Sequence, residues 1–184
     1  TPPTHHIKEV ELSFNLEPEK TRVHSKLTLL RNKESRSDSN TLFLNGEELT
    51  LISVKLDGKE AQYELSDEGM TISNVPNEAL LEIETEICPI ENTKLEGLYV
   101  SGGTFCTQNE AEGFRRITYF LDRPDVMSKY TTRIEGDKKK YPTLLSNGNL
   151  IDSGDLEGGR HFAVWQDPFA KPCYLFALVG GDLA

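Results

Sequence analysis

Hydrophobic and polar residues alternate with a period of two through the first part of the chain. Four apolar residues would face one side of a strand while the residues between them face the other: Val10, Leu12, Phe14 and Leu16. The alternation resumes over 23–29 after a turn at Pro18 and Glu19. Successive side chains of a strand point to opposite faces, so this pattern predicts two half-buried strands.

Shorter segments of the same character follow, separated by turn signals such as Asn45-Gly46 and Asp57-Gly58. The further predicted strands are 41–44, 51–57, 61–65, 69–73, 80–87, 131–134, 143–146, 161–166 and 173–179. One interruption is expected, because Asp122 can cap a helix with Pro124 in its first turn. The pattern therefore predicts an all-β fold, a mostly antiparallel β-sandwich or open barrel, with one short helix near 123–129.

Composition indicates an ordinary folded domain and argues against two classes of partner. The 184 residues are 36% hydrophobic and 27% charged, which is a globular balance. The formal net charge of −10 repels phosphate backbones and anionic lipid surfaces. No apolar run approaches the roughly 18 residues that would span a bilayer. We therefore expect no nucleic-acid partner and no membrane partner.

Cysteine usage favours a reducing compartment. The three cysteines are far apart and form no C-x-x-C pair: Cys88, Cys106 and Cys173. An odd, dispersed set supports neither a disulfide framework nor a zinc knuckle. Free thiols and a cytoplasmic location are the resulting expectation.

The histidines do not predict a metal site. None of the four belongs to a His-Glu-x-x-His motif, and all are expected at the surface: His5, His6, His24 and His161. No nucleophile elbow or phosphate-binding loop is present either. We therefore expect no metal ligand and no catalytic residue in this chain.

One polar stretch, residues 106–126, stands out from the alternating background. If 105–110 is extended, Gln108 and Glu110 project from the same face, and an amide beside a carboxylate can bind a cation. The alternative is a solvent-facing polar edge in which Arg115 or Arg116 pairs with Asp122. Composition alone favours that alternative, because charged residues mostly lie on the surface.

The same stretch resembles a known enzyme family. Thr107-Gln108-Asn109-Glu110, then Arg115-Arg116, then Asp122-Arg123-Pro124 resembles the T-Q-x-E…R…D-x-P signature of zinc aminopeptidases of the aminopeptidase N type. The form CTQNEAEGFR…LDRPDV is most similar to the bacterial alanyl aminopeptidase branch. Other segments resemble that branch in the same order: 44–47, 95–99, 140–142, 145–149, 165–169 and 171–179.

The resemblance implies that residues 1–184 form a single, saddle-like N-terminal β-domain of a longer enzyme. That domain would pack on a catalytic domain of the same polypeptide, which would carry the zinc and its His-Glu-x-x-His ligands. The enzyme would remove N-terminal amino acids from peptides with a free N-terminus, and this chain alone would be inactive. The apolar strand near the C-terminus is in keeping with a cut at a domain boundary.

The resemblance also implies roles for individual residues. Glu110 would hold the α-ammonium group of the substrate, and Gln108 would add a hydrogen bond or line the first side-chain pocket. Arg115, Arg116 and Asp122 would form charge pairs that determine the shape of the loop.

A different class of function remains open on the residues alone. A free-standing β-sandwich that binds carbohydrate or protein would use exposed aromatic side chains on a concave face. Tyr119, Phe120 and Trp165 are the candidates for such a surface.

Overall fold

β-Strands form nearly all the regular structure of the protein, seen here in a computed structural model that describes residues 2–183. Residues 1 and 184, the two ends of the expected domain, lie outside the described residues. The strands in the described part are β1 (His5–Asn15), β2 (Thr21–Arg31), β3 (Leu42–Asn45), β4 (Thr50–Leu56), β5 (Lys59–Glu60), β6 (Tyr63–Ser66), β7 (Gly69–Ile72), β8 (Glu78–Ile87), β9 (Gly97–Ser101), β10 (Thr104–Gln108), β11 (Lys129–Asp137), β12 (Thr143–Ser146), β13 (Asn149–Asp155), β14 (Arg160–Gln166) and β15 (Leu178–Gly181).

The strands form three sheets. The largest has eight strands in the order β13-β14-β11-β1-β2-β8-β4-β5. A four-stranded sheet has the order β12-β15-β10-β9, and a three-stranded sheet has the order β3-β7-β6. The pair β1–β11 is parallel, and the other strand pairs of the described chain are antiparallel. The predicted all-β, mostly antiparallel fold is confirmed.

Strands β1 and β2 show why the alternating pattern was informative. Val10, Leu12 and Phe14 are buried, and they face Leu27, Ser25 and Val23 across the antiparallel pair. The register shifts between Ile7 and Glu9, which marks a β-bulge. The bulge explains why Lys8 and Glu9 are both exposed although they are neighbours.

Two local predictions are wrong. Residues 123–129 contain no helix; a turn centred on Pro124 and Asp125 is closed by a 3.2 Å hydrogen bond from the Val126 N–H to the Arg123 carbonyl. Ser128 then forms a backbone bridge to Lys171, so the chain is extended after this single turn and does not continue as a helix. The predicted strand 173–179 begins instead as a 3₁₀ turn, and only its end pairs within β15.

The helical content is limited to short 3₁₀ turns. Within residues 2–183 these turns are Pro89–Glu91, Phe114–Arg116, Glu157–Gly159 and Cys173–Leu175. No helix in this part of the chain has the length and apolar character needed to cross a membrane.

The strands β5, β9 and β13 were not predicted, because their sequences carry too little pattern. β13 lies at the edge of the large sheet and is exposed along nearly its whole length, so its residues do not alternate. β9 spans five residues and begins at a glycine. Pairing with neighbouring strands, rather than local hydrophobicity, makes these segments extended.

An aromatic cluster lies in the core. The Phe114 ring contacts Phe120 edge-on at a centroid distance of 5.0 Å and Phe176 at 5.4 Å. Phe176 in turn stacks on Phe14 at 5.9 Å and lies 5.9 Å from Tyr130. Because Phe114 lies within the polar stretch 106–126, shortly after Glu110, this cluster anchors that stretch to the core.

Candidate functional site

The predicted site residues lie where β10 ends and a turn begins. Gln108 is the last residue of β10 and pairs with Gly97 of β9. Gln108 and Glu110 are exposed, whereas Asn109 between them is 2% exposed. The structure therefore brings the two predicted residues together on one exposed face.

The turn after β10 is closely packed around its backbone. The Glu110 N–H donates to Gln108 Oε1 at 3.2 Å, and the Glu110–Ala111 peptide bond is cis. The Gly113 N–H donates to the Asn109 carbonyl at 3.0 Å and closes the turn. A Cβ atom at Gly113 would lie 2.4 Å from the Gln108 carbonyl oxygen, so a side chain there would displace the turn.

The Glu110 carboxylate faces outward without an ionic partner. Among residues 2–183, no basic side chain forms an ion pair with it. The neighbouring Glu112 is also exposed and lies 3.7 Å from Arg115 Nη2. An exposed, unpaired carboxylate on an ordered turn is available to a cationic ligand.

Asp122 is the buried acceptor at the base of this turn. Its side chain is 2% exposed and lies 3.0 Å from Arg115 Nε. The Arg115 backbone N–H also donates to the same Oδ2 atom at 3.2 Å. The predicted pairing of Asp122 with an arginine is therefore present, but Asp122 is buried and does not lie on a solvent-facing edge.

Asp122 also joins parts of the chain that are distant in sequence. The Cys173 thiol donates to Asp122 Oδ1 at 3.1 Å, and the Asp122 N–H donates to Asn45 Oδ1 at 3.3 Å. Burial and the adjacent carboxylate hold the pKa of the Cys173 thiol well above its usual range. Sequence reasoning missed Cys173 and Asn45, because no spacing rule links residues so far apart.

The second arginine of the motif has different partners. Arg116 is 6% exposed, and its guanidinium lies 3.0 Å from both Glu47 and Glu48. Of the two arginines considered as partners of Asp122, Arg115 therefore forms the pair. Arg116 instead ties the segment after the turn to the loop that follows β3.

The histidine and acidic side chains of residues 2–183 form no metal-ligand cluster, and one histidine is not where it was expected. Within residues 2–183 no three His, Cys, Asp or Glu groups are placed to hold a metal ion. The expectation of a surface position is wrong for His5, which is fully buried, with Nε2 3.0 Å from the Pro76 carbonyl. Burial lowers the pKa of His5.

The aromatic surface required for a binding module does not form from the expected residues. Tyr119 and Phe120 are 6% and 0% exposed. The Trp165 Nε1–H donates to the Leu144 carbonyl at 2.9 Å, so its polar edge is already occupied. These side chains pack the interior and do not line a concave face.

The comparisons of the sequence with known proteins agree on one family. The sequence profile of the Peptidase M1 N-terminal domain matches residues 3–175. Aminopeptidase N of Caulobacter vibrioides is 53% identical over 180 residues, covering 96% of this chain and 20% of that protein. Aminopeptidase N of Escherichia coli is 51% identical over 181 residues, covering 98% of this chain and 20% of that protein.

A solved structure agrees with the sequence comparison. The crystal structure of Legionella pneumophila aminopeptidase A in complex with aspartic acid superposes with a TM-score of 0.94 at 37% identity. The match covers all of this chain and 22% of that one. An M1 zinc metallopeptidase from Deinococcus radiodurans shares the fold at a TM-score of 0.83 and 12% identity. The chain spans about one fifth of the length of the curated relatives it matches.

Proposed function

Because the chain belongs to the Peptidase M1 N-terminal domain family, we propose that residues 1–184 are the N-terminal domain of a longer zinc aminopeptidase. In that enzyme the domain packs on the catalytic domain of the same polypeptide and anchors the free α-amino group of peptide substrates. The enzyme would be a hydrolase that removes N-terminal amino acids. Relatives named aminopeptidase N, more than 50% identical over nearly the whole chain, support this proposal.

The main support for the proposed role is the environment of the Glu110 carboxylate. Its carboxylate is exposed and has no ionic partner within the described part of the chain. The turn that bears it rests on buried contacts, including the Arg115–Asp122 pair. An acceptor held this way can receive an ammonium group without first breaking an internal ion pair.

An exopeptidase must measure distance from the free N-terminus. A fixed anion does so, because it holds the α-ammonium at a set separation from the scissile bond. Glu110 would make the charge-assisted hydrogen bonds to that ammonium. Gln108, whose Oε1 already accepts from the Glu110 N–H, would offer its amide NH₂ to the substrate or line the first side-chain pocket.

This chain contributes binding and orientation, not the metal. In the proposed enzyme the catalytic domain would bind the zinc, outside this segment. The M1 zinc metallopeptidase from Deinococcus radiodurans gives the precedent for zinc in a protein of this fold. A cytoplasmic location completes the proposal, and it rests on the three unpaired cysteines.

Substitution of Glu110 in the full-length enzyme tests the proposal. Truncating one partner of a desolvated charge pair costs about 2–5 kcal/mol. At about 1.4 kcal/mol for each tenfold change, kcat/KM of Glu110→Ala for an aminoacyl anilide should fall at least ~30-fold. Glu110→Gln should fall less, since the amide still accepts a hydrogen bond.

Glu112→Ala is the matched control, because Glu112 is an exposed carboxylate two residues along the same turn. It should leave kcat/KM nearly unchanged. Activity of Glu110→Ala within threefold of the parent would refute the anchoring role.

A further inference from the structure

Asn109 is the one buried side chain of the Gln108–Glu110 triplet, and it makes a long-range contact. Its Nδ2 donates to the Phe176 carbonyl at 2.7 Å, across 67 residues of sequence. Its Oδ1 is buried and has no hydrogen-bond partner within residues 2–183. The bond to Phe176 is therefore the side chain's polar link to the rest of the fold.

The contact between Asn109 and Phe176 lies where the β10–β15 ladder would continue. β10 pairs with β15 at Phe105↔Gly180 and Cys106↔Val179, where the backbone ladder stops. The same antiparallel register, extended, would place Thr107 opposite Leu178 and Asn109 opposite Phe176.

Side chains make those two connections. The Leu178 N–H donates to Thr107 Oγ1 at 2.9 Å, and Asn109 Nδ2 reaches the Phe176 carbonyl. Side-chain hydrogen bonds thus replace backbone pairing for the last steps before Glu110.

The segment that bears the acceptor carbonyl, between the 3₁₀ turn Cys173–Leu175 and β15, is well packed. The Phe176 ring is 3% exposed and packs against Phe114 and Tyr130 in the aromatic cluster. Cys173, three residues earlier, donates to the buried Asp122. On the other side, the ladder between β10 and β9 ends at Gln108↔Gly97. Residue 109 is therefore not part of a backbone ladder on either side.

We propose that Asn109 is a positioning residue, which sets the place of the Glu110 carboxylate by extending the β10–β15 register through its side chain to the Phe176 carbonyl. The inference rests on the proposed function of Glu110. Without this bond, the exposed turn loses its attachment to the β15 side. A misplacement of about 1 Å in a binding group can reduce turnover by up to ~100-fold.

The test uses the full-length enzyme and two competitive inhibitors, an amino-acid amide and the same amide lacking the α-amino group. The ratio of their inhibition constants reports how well the ammonium is held. In Asn109→Ala this ratio should shrink about tenfold, with a similar fall in kcat/KM for an aminoacyl anilide. A general loss of folded protein would lower kcat and leave the ratio unchanged.

Asn147→Ala is the matched control. Asn147 makes two hydrogen bonds to the same segment, donating to the Leu175 carbonyl at 3.1 Å and accepting from the Ala177 N–H at 2.8 Å. It does not touch the Glu110 turn, so its ratio should equal that of the parent. If Asn109→Ala fails to unfold cooperatively, the ratio is read in Asn109→Ser, whose side chain is too short to reach Phe176.

A double-substitution cycle separates this inference from the proposed function. Adding Asn109→Ala to Glu110→Ala should cause no further loss of kcat/KM, because the effect of Asn109 acts through Glu110. Additive losses, or an unchanged inhibitor ratio in Asn109→Ala, would overturn the positioning role while the anchor stands. If Glu110→Ala instead keeps the parent's ratio of inhibition constants, the proposed anchoring role of Glu110 itself is refuted.

Discussion

Removing the Asp122 carboxylate should destabilise the domain strongly, because it is the shared acceptor of a buried network. It accepts from Arg115 Nε at 3.0 Å, from the Arg115 backbone N–H at 3.2 Å and from the Cys173 thiol at 3.1 Å. In Asp122→Ala the guanidinium, which is 19% exposed, keeps only the distant Glu112 as an ionic partner. Two further donors lose their acceptor.

The size of the effect follows from the burial of the pair. Breaking a buried ion pair by removing one partner costs about 3–5 kcal/mol. Because Arg115 retains some access to water, we expect the lower end, about 3 kcal/mol. For a domain of 150–250 residues each 1 kcal/mol shifts Tm by roughly 2–4 °C, so Tm should fall by about 6–12 °C.

Urea and thermal unfolding of the chain followed by circular dichroism measure both quantities. Asp122→Asn, which keeps an acceptor oxygen but loses the charge, should be destabilised by about half as much. Asp125→Ala is the control, since its pair with Arg123 is 53% exposed at the carboxylate and is worth at most about 1 kcal/mol. If Asp122→Ala were no less stable than Asp125→Ala, the reasoning from burial would be refuted.

Three further predictions concern buried titratable groups. Tyr130 Oη is buried without a hydrogen-bond partner within residues 2–183, so Tyr130→Phe should raise the free energy of unfolding by about 1 kcal/mol in urea titrations; a loss of stability would contradict this. The pKa of buried His5 is lowered, so the unfolded chain binds more protons in acid. Its stabilisation should be complete above about pH 6.5 and lost as the pH falls below that value, a dependence that His5→Gln should weaken in unfolding experiments from pH 7 to 5. A thiol reagent should label Cys88 and Cys106 in the native protein and Cys173 only after unfolding, because burial raises the pKa of the Cys173 thiol; a native mass short by two protons would reveal a disulfide instead.

Local periodicity was enough to predict the strands that bury one face. In β2 each buried residue alternates with a half-exposed one, and the sequence shows the same alternation without any knowledge of neighbouring strands. The motif around Gln108 and Glu110 was likewise readable, because side chains two residues apart near a strand end share a face. The family resemblance predicted the Peptidase M1 N-terminal domain family, and the match over residues 3–175 confirms it.

Pairing between distant segments could not be read in this way. The turn at Pro124 carries the signals of a helix start, yet Asp122 is bonded to Arg115 and Cys173, and Ser128 pairs with Lys171. His5 was expected at the surface, but it is buried in β1 and its Nε2 lies 3.0 Å from the Pro76 carbonyl oxygen.

The sequence by itself determined the strands that bury one face, such as β1 and β2, and which polar residues stand together at the end of β10, since both depend on neighbours within a few positions. Only the tertiary structure decided how that strand end is held. Thr107 and Asn109 meet Leu178 and Phe176 across 67–71 residues, at a register set by the order of β10 and β15 in their sheet. No local pattern encodes such a contact, because its free energy depends on a partner that arrives only when the sheets assemble.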